Sequence, residues 1–394
     1  MSKIVLDTNV ILNFPETLKM DNLLIPLKVI DELDKLKTSD KAVSYKARIA
    51  LKVFEENLEN IEVDVLKRGV LDSLEDSPDN QILTCAYDNN CKLYTNDLNM
   101  LVKAKSLNIE CDMYKVRDDS YKGYSEVEPT DEQWMLFINK GKIEENIFNL
   151  LIGEYCLLTK EGVPQSVHKW DGKELVEVKS KTFPSNTLDN FKPKDLYQIA
   201  CVDSLLENDL TFLTGSAGTG KTLISLSYLM WALERNKIKK IYIVHNPVYT
   251  KDSQAIGYLK GDMIEKMLGS SLGGILVSKF GGLQPIENMI NFGQLEIVPM
   301  SSIRGMEVKK DEALYMTEAQ NLSRYLAKTA IQRCATGSKI LLEGDTAQVD
   351  SYAFAGLNNG FKCAIEAFKG QKDVGVVELK NIYRNKFTEI AENI

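Results

Sequence analysis

The sequence has no apolar run approaching the roughly 18 residues needed to span a bilayer, and its start, MSKIVLDTNV, has no basic segment leading into an apolar one. Neither a membrane span nor a secretory leader is expected, and a cytoplasmic location is. Histidine is scarce, with only His168 and His245. The seven cysteines (Cys85, Cys91, Cys111, Cys156, Cys201, Cys334, Cys363) are scattered, odd in number and form no C-x-x-C pair. A disulfide framework and a structural zinc site are thereby disfavoured. Glycine (24) and proline (10) are too few among 394 residues for a collagen-like or low-complexity chain, and no internal repeat is visible. There is no excess of positive charge either: the net charge of -8 gives no global attraction to nucleic acid. Local fields can oppose that average, so charge neither proves nor excludes a polynucleotide partner.

What is present is ordinary globular composition, 44% hydrophobic and 26% charged, in a chain long enough for two or three domains at about 150 residues each. Residues 1–118 alternate short β-rich runs (Lys3 to Leu6, Cys91 to Thr95, Asn108 to Tyr114) with helical periodicity at Val29 to Lys37 and Val43 to Leu58, which predicts a small α/β domain. The polar, turn-prone stretch Arg117 to Tyr124 marks a boundary. Strand-like runs at Glu154 to Leu158, Ser166 to Lys169 and Leu175 to Val178 predict a small all-β connecting domain over 125–184. From 185 to 394 apolar runs at Leu210 to Thr214, Ile241 to Val244, Leu295 to Pro299, Ala313 to Met316, Ile340 to Leu342 and Val374 to Leu379 are mostly separated by helical stretches. They predict a parallel, doubly wound sheet.

The strongest motif lies in that last region. Gly215, Ser216, Ala217, Gly218, Thr219, Gly220, Lys221 and Thr222 fit G-x-x-x-x-G-K-[ST], after the strand ending at Thr214 and before the apolar helix Leu223 to Leu233. The glycines let the backbone point N–H groups at phosphates, which also sit at the partially positive end of a helix. Lys221 is expected to reach the β and γ phosphates of ATP, and Thr222 to ligate Mg²⁺. Hydrolysis further needs a carboxylate to polarise water, a group that senses the γ phosphate and a cation for developing charge. Glu318 and Gln320 after one strand, and Asp345 and Gln348 after another, are candidates at the strand ends where ligands bind. Each cluster alone reads equally well as helix capping; together, behind a phosphate loop, they favour catalysis.

In order along the chain, the phosphate loop, Ala255 to Lys266, Glu318-Ala-Gln-Asn321 and Gly344-Asp-Thr-Ala-Gln348 resemble the PhoH-like ATPases, relatives of superfamily 1 helicase cores, over roughly 190 to 390. The resemblance implies a RecA-like fold, an adenine-reading role for Gln198 and an arginine near the γ phosphate at Arg384. It also exposes a departure. The family usually has Asp-Glu-Ala-Gln, whereas Thr317 precedes Glu318 here, so the carboxylate that would hold magnesium is missing. Hydrolysis that is weakened, or that needs high Mg²⁺, is the expectation.

Near the amino terminus Asp7 ends a strand, Glu32 lies in a helical run, Asp79 opens a helix and Asp97 follows a later strand. Singly, Asp79 reads as a helix cap and Glu32 as a solvated face. Jointly, four carboxylates on separate elements suit a hard divalent cation with oxygen ligands. With Asp7-Thr-Asn9 and Thr95-Asn-Asp97 they resemble the PIN-domain nucleases over about 1 to 115. That resemblance implies RNA cleavage by one or two Mg²⁺ or Mn²⁺ ions, with Asn9 and Thr95 orienting the carboxylates and Asn99 a possible further ligand.

The whole chain thus looks like a fusion whose members couple RNA unwinding to RNA cutting, acting on single-stranded or overhang-bearing RNA. The chain ends about ten residues past Arg384, which leaves no second ATPase lobe, so a ring-like homo-oligomer, a hexamer above all, is expected to complete the nucleotide site. Arg304, Arg324 and Arg333 are candidates for a finger from a neighbour, or surface charge. The basic run Arg235 to Lys240 reads as a helix terminus more than as a phosphate grip, and Tyr242, Tyr249 and Tyr258 as core more than as base-stacking platforms. The alternative function is an ATP-binding assembly or regulatory module that controls the nuclease.

Overall fold

A computed structural model of the chain describes residues 3–39, 41–65, 71, 75–114, 120–140, 142–245, 271–346 and 359–383. The described residues form two compact units, divided between Asp119 and Ser120.

The first unit is an all-parallel sheet of β1 (Ile4–Leu6), β2 (Leu23–Pro26), β3 (Ile61–Asp64), β4 (Lys92–Tyr94) and β5 (Cys111–Asp112) in the order β3-β2-β1-β4-β5. The run Asn108 to Tyr114 keeps only two residues in the ladder. Every strand of β1 and β2 is almost wholly buried because helices cover both faces: Thr8–Asn13, Leu27–Leu36, Lys41–Glu56, Pro78–Asp88 and Leu98–Ser106. The connections reverse direction at β1, which has β2 on one side and β4 on the other. That switch point lies at the carboxyl ends of β1 and β4, where Asp7 and Thr95 follow the strands.

The second unit contains two sheets. In the smaller, β6 (Tyr124–Val127), β7 (Lys142–Ile143), β8 (Tyr155–Lys160), β9 (Val163–Trp170) and β10 (Leu175–Glu177) run in the order β6-β8-β9-β10-β7. Only β6 and β8 are parallel, and the helix Asp131–Lys140 joins the strands, so this module is β-rich and not all-β. One face closes on Phe137, Leu158 and Trp170. The other sends Tyr155 and Leu157 into the core of the larger sheet, where the Tyr155 hydroxyl donates to Asp203 at 3.0 Å. Gly123 makes this seam possible: its φ is +79°, and a Cβ there would lie 1.7 Å from the carbonyl oxygen of Val376.

The larger sheet is entirely parallel: β11 (Leu210–Gly215), β12 (Lys240–His245), β13 (Leu295–Pro299), β14 (Glu312–Met316), β15 (Lys339–Gly344) and β16 (Val374–Leu379), ordered β13-β12-β14-β15-β11-β16. Leu213, Tyr315, Leu341 and Val377 face the helices Leu196–Glu207 and Lys221–Glu234. Phe212, Leu314, Leu342 and Val376 face Arg324–Gln332 and Gly360–Phe368. Burial on both faces accounts for the continuous apolar runs read in the sequence. β11 sits between β15 and β16, so residues leaving those two strands flank the start of the phosphate loop, with the end of β14 one strand further out. Among the described residues no helix is long and apolar enough to cross a membrane.

Candidate functional sites

The loop from Gly215 to Gly220 owes its path to glycine. Gly215, Gly218 and Gly220 have φ of +136°, +89° and +100°, and a Cβ on Gly215 would lie 2.5 Å from the carbonyl oxygen of Leu379. Gly220 then serves as the left-handed N-cap of Lys221–Glu234, leaving the first N–H groups of that helix without a side-chain cap. Lys221 Nζ donates to the carbonyl oxygens of Gly215 and Ser216, the latter at 2.9 Å, which holds the ammonium group over the loop.

Gln198 is only 3% exposed and supports the loop from below. Its Nε2 donates to the carbonyl of Thr219 at 3.3 Å, and its Oε1 accepts from the N–H of Lys194 at 3.0 Å. The helix that carries it is capped by Asp195, whose other oxygen accepts from Asn381 and from the hydroxyl of Tyr383. The N–H of Tyr383 in turn donates to Gly218 at 3.0 Å. Gln348, Arg384, Tyr249, Tyr258 and Ala255 to Lys266 lie outside the described residues.

The two acidic strand ends are joined by one side chain. Gln320 Oε1 accepts the N–H of Asp345 at 3.1 Å, while Gln320 Nε2 donates to Glu318 at 2.6 Å. Gly344 makes room for that amide, since a Cβ there would stand 2.7 Å from Gln320 Oε1. Glu318 itself takes a left-handed backbone, φ 53° and ψ 38°, uncommon for a non-glycine residue.

Sequence reasoning missed Glu343, the last residue but one of β15. It is 3% exposed, and its two oxygens accept from Thr222 Oγ1 and Ser225 Oγ, each at 2.7 Å. Burial pushes its pKa up, opposed by those hydroxyls and by the charge of Lys221. Within the run Ile340-Leu-Leu-Glu343 it looked like part of an apolar strand, and the only sequence signal was a lone carboxylate there. Thr317, by contrast, is 6% exposed and its Oγ1 is buried without a hydrogen-bond partner.

The three arginines named as possible fingers, Arg304, Arg324 and Arg333, are all exposed, and Arg304 packs over the Tyr325 ring at 5.0 Å. The basic run beyond residue 234 is tied down: Lys237 lies 4.8 Å over Trp231, Lys239 pairs with Asp311 and Lys240 with Glu296. Tyr242 is buried in the core.

In the first unit Asp7 is 4% exposed and its Oδ2 accepts from Thr95 Oγ1 at 2.8 Å. Burial pushes its pKa up to about 6; the bonds from Thr95 and the N–H of Asn9 pull it down, and the charges of Asp79 and Glu32 push it up again. Asp7, Asp79 and Glu32 therefore share one electrostatic field. Glu32 Oε2 accepts from Thr8 Oγ1 at 2.5 Å. Ser77, not Asp79, caps the helix Pro78–Asp88, leaving Asp79 in its first turn. Asp97 Oδ1 caps Leu98–Ser106, accepting from the N–H groups of Asn99 and Met100, while its own N–H donates to Thr95 Oγ1. Asn9 Oδ1 is engaged by Asn13. All these donors are oxygen, the chemistry a hard cation takes. Among the described residues no three of them stand close enough to form a ready-made metal site.

The family model for PhoH-like proteins matches residues 190–394, from the helix carrying Gln198 through the phosphate loop to the end of the sheet. The chain belongs to the PhoH-like protein family. A PIN-domain model matches residues 4–115, the first unit with Asp7 and Thr95 at the ends of β1 and β4. The PhoH-like chain is 27% identical over 445 residues to Protein PhoH2 of Bacillus subtilis, covering all of both chains. It is 28% identical over 410 residues to Protein PhoH2 of Thermobispora bispora, covering 93% of this chain and 90% of that one. A Pif1 helicase from Candida albicans overlaps 52% of this chain and 43% of its own at 16% identity, with a TM-score of 0.28, too loose an overlap to carry a functional argument.

Proposed function

We propose that this PhoH-like protein hydrolyses ATP to move on RNA and cuts RNA with its PIN domain, using Mg²⁺ or Mn²⁺ at both centres. The observation that carries the motor half is the glycine-shaped loop with Lys221 and Thr222 at the end of β11, tied through Thr222 to Glu343 of the adjoining β15, the strand that Asp345 follows and that Gln320 links to Glu318. Bound ATP would lay its phosphates on the N–H groups of Gly215 to Thr222 and draw Lys221 from its carbonyl partners. Glu318 is suited to orient the attacking water, and Asp345 with Gln320 to report the γ phosphate across the strand ends. For Gln198 to read adenine, its amide would have to exchange its bonds to Thr219 and Lys194 for the base. Gln348 and Arg384 complete the proposed set as γ-phosphate groups, and a neighbour in a homo-oligomeric ring, most simply a hexamer, would cover the open face. Cytoplasmic RNA, single-stranded or with an overhang, is the proposed partner.

For the nuclease half, the support is the buried Asp7 held by Thr95 among like charges, a carboxylate that a cation would relieve. Asp7, Glu32, Asp79 and Asp97 are the proposed ligands, and the cation would supply an activated water and offset charge on the phosphodiester.

Fluorescent RNA duplexes with either overhang, incubated with and without ATP and divalent metal, report unwinding and cutting together. Strand separation that needs ATP and products that need metal are expected; neither appearing would end this reading. A second reading rests on Thr317, which brings no charge to β14: the ATPase would then bind nucleotide mainly to control assembly. RNA-stimulated phosphate release supports the motor, whereas a nucleotide effect on oligomeric state alone supports the regulator.

A further inference from the structure

We infer that Glu343 replaces the carboxylate missing at Thr317, as a positioning residue for Mg²⁺ held by Thr222; this rests on the ATP-binding reading above.

A hydroxyl that ligates a metal through its oxygen must give its proton to another acceptor, and the acceptor decides which way the lone pair points. Thr222 Oγ1 donates to Glu343 at 2.7 Å, so its proton is already directed away from the loop into β15. Ser225, one turn further along the helix, holds the second oxygen of the same carboxylate and fixes its orientation. A buried carboxylate tying down a helix with two neutral hydroxyls is a costly way to pack a core, and its pairing with a cation at the loop gives that cost a purpose.

The strand register places the substitution beside its replacement. Met316 pairs with Leu342 across β14 and β15, so Glu343, still within β15, and Thr317, the first residue past β14, follow that pair. By strand alternation Glu343 follows Leu341 onto the face covered by Lys221–Glu234, where Thr222 and Ser225 meet it. Thr317 contributes a buried hydroxyl oxygen with no partner, a group that a metal-bound water would satisfy. Charge removed from one strand end is thus restored one strand nearer the phosphate loop. On this account the Mg²⁺ response is intact, against the weakening that Thr317 alone suggested.

The test is equilibrium binding of a fluorescent ATP analogue, titrated with Mg²⁺ and repeated in EDTA. In the wild type Mg²⁺ tightens binding. Glu343→Gln keeps the shape and is expected to lose about 10- to 100-fold in Mg²⁺ affinity with binding in EDTA unchanged. The exchanged pair Thr317→Asp with Glu343→Thr is expected to recover the response. A Glu343→Gln protein with wild-type Mg²⁺ dependence overturns the inference, as does one that loses affinity equally with and without metal, the mark of a merely structural role. Should Glu343→Gln not fold, the exchanged pair decides: analogue binding that ignores Mg²⁺ counts against the inference. Failure of the ATP reading looks different, since the wild type would then bind no analogue in either condition.

Discussion

Gln320 binds the backbone N–H of Asp345 through its Oε1, 25 residues along the chain and one strand away. The same amide donates to Glu318, so one side chain fixes the spacing of the two acidic strand ends beside the phosphate loop. Gln320→Ala leaves a buried N–H and a carboxylate without this partner, a loss of about 1 to 3 kcal/mol. Phosphate release is expected to fall far more than nucleotide affinity, because the loop itself is untouched. Steady-state turnover beside a binding titration separates the two; a proportional fall in both would refute the spacing role.

Gly215 cannot carry a side chain without moving β16. Gly215→Ala adds a Cβ at φ +136° and 2.5 Å from Leu379 O, which should cost at least about 2 kcal/mol and abolish nucleotide binding. Gly274, in the helix Ser271–Phe280, meets nothing within 4 Å, so Gly274→Ala should stabilise by up to about 1 kcal/mol. Thermal melts of the two variants are expected to move in opposite directions.

Asp7 makes the metal-free first unit less stable as pH rises. Between its ordinary value of 3.8 and about 6, the folded state keeps a proton that the unfolded chain has released, so stability falls through that window and stays reduced above it. The cost at neutral pH is on the order of 3 kcal/mol. Asp7→Asn should therefore raise the melting temperature of the metal-free protein at pH 7, with the gain vanishing toward pH 4. Mn²⁺ should stabilise the parent above pH 6 and do little for the variant; equal Mn²⁺ shifts in both would detach Asp7 from metal.

His168 works in the opposite sense in the second unit. Burial lowers its pKa to about 4, and its Nδ1 is buried without a partner beside the Phe137 ring. As pH falls from 6.5 toward 4 the unfolded chain takes up a proton that the folded one refuses, so stability is lost across that range. Denaturant midpoints followed from pH 7 to pH 4 should drop in the wild type and flatten in His168→Gln.

Much of the molecule was legible in its residues. A strand, a glycine-rich turn and a helix in succession leave a phosphate loop few alternatives, and apolar runs between helical stretches announce parallel strands buried on both faces. Asp7 was readable in a similar way, as a carboxylate at the end of a buried strand, whereas Thr95 was named only through the PIN-domain resemblance. Glu343 was not readable, because a carboxylate inside an apolar run carries no hint of its partners. Nothing in the sequence signalled that Gln198 would be buried against Thr219.

By itself the sequence determined the two α/β units, the phosphate loop and which residue types could serve each chemistry, since periodicity and short motifs are local properties of the chain. Only the tertiary structure decided which of them meet. Thr222 and Glu343 lie 121 residues apart and touch because β15 settles against β11, a pairing set by long-range strand order. No local pattern encodes that order, so neither the carboxylate's position nor its two hydroxyl partners could be read before the sheet was assembled.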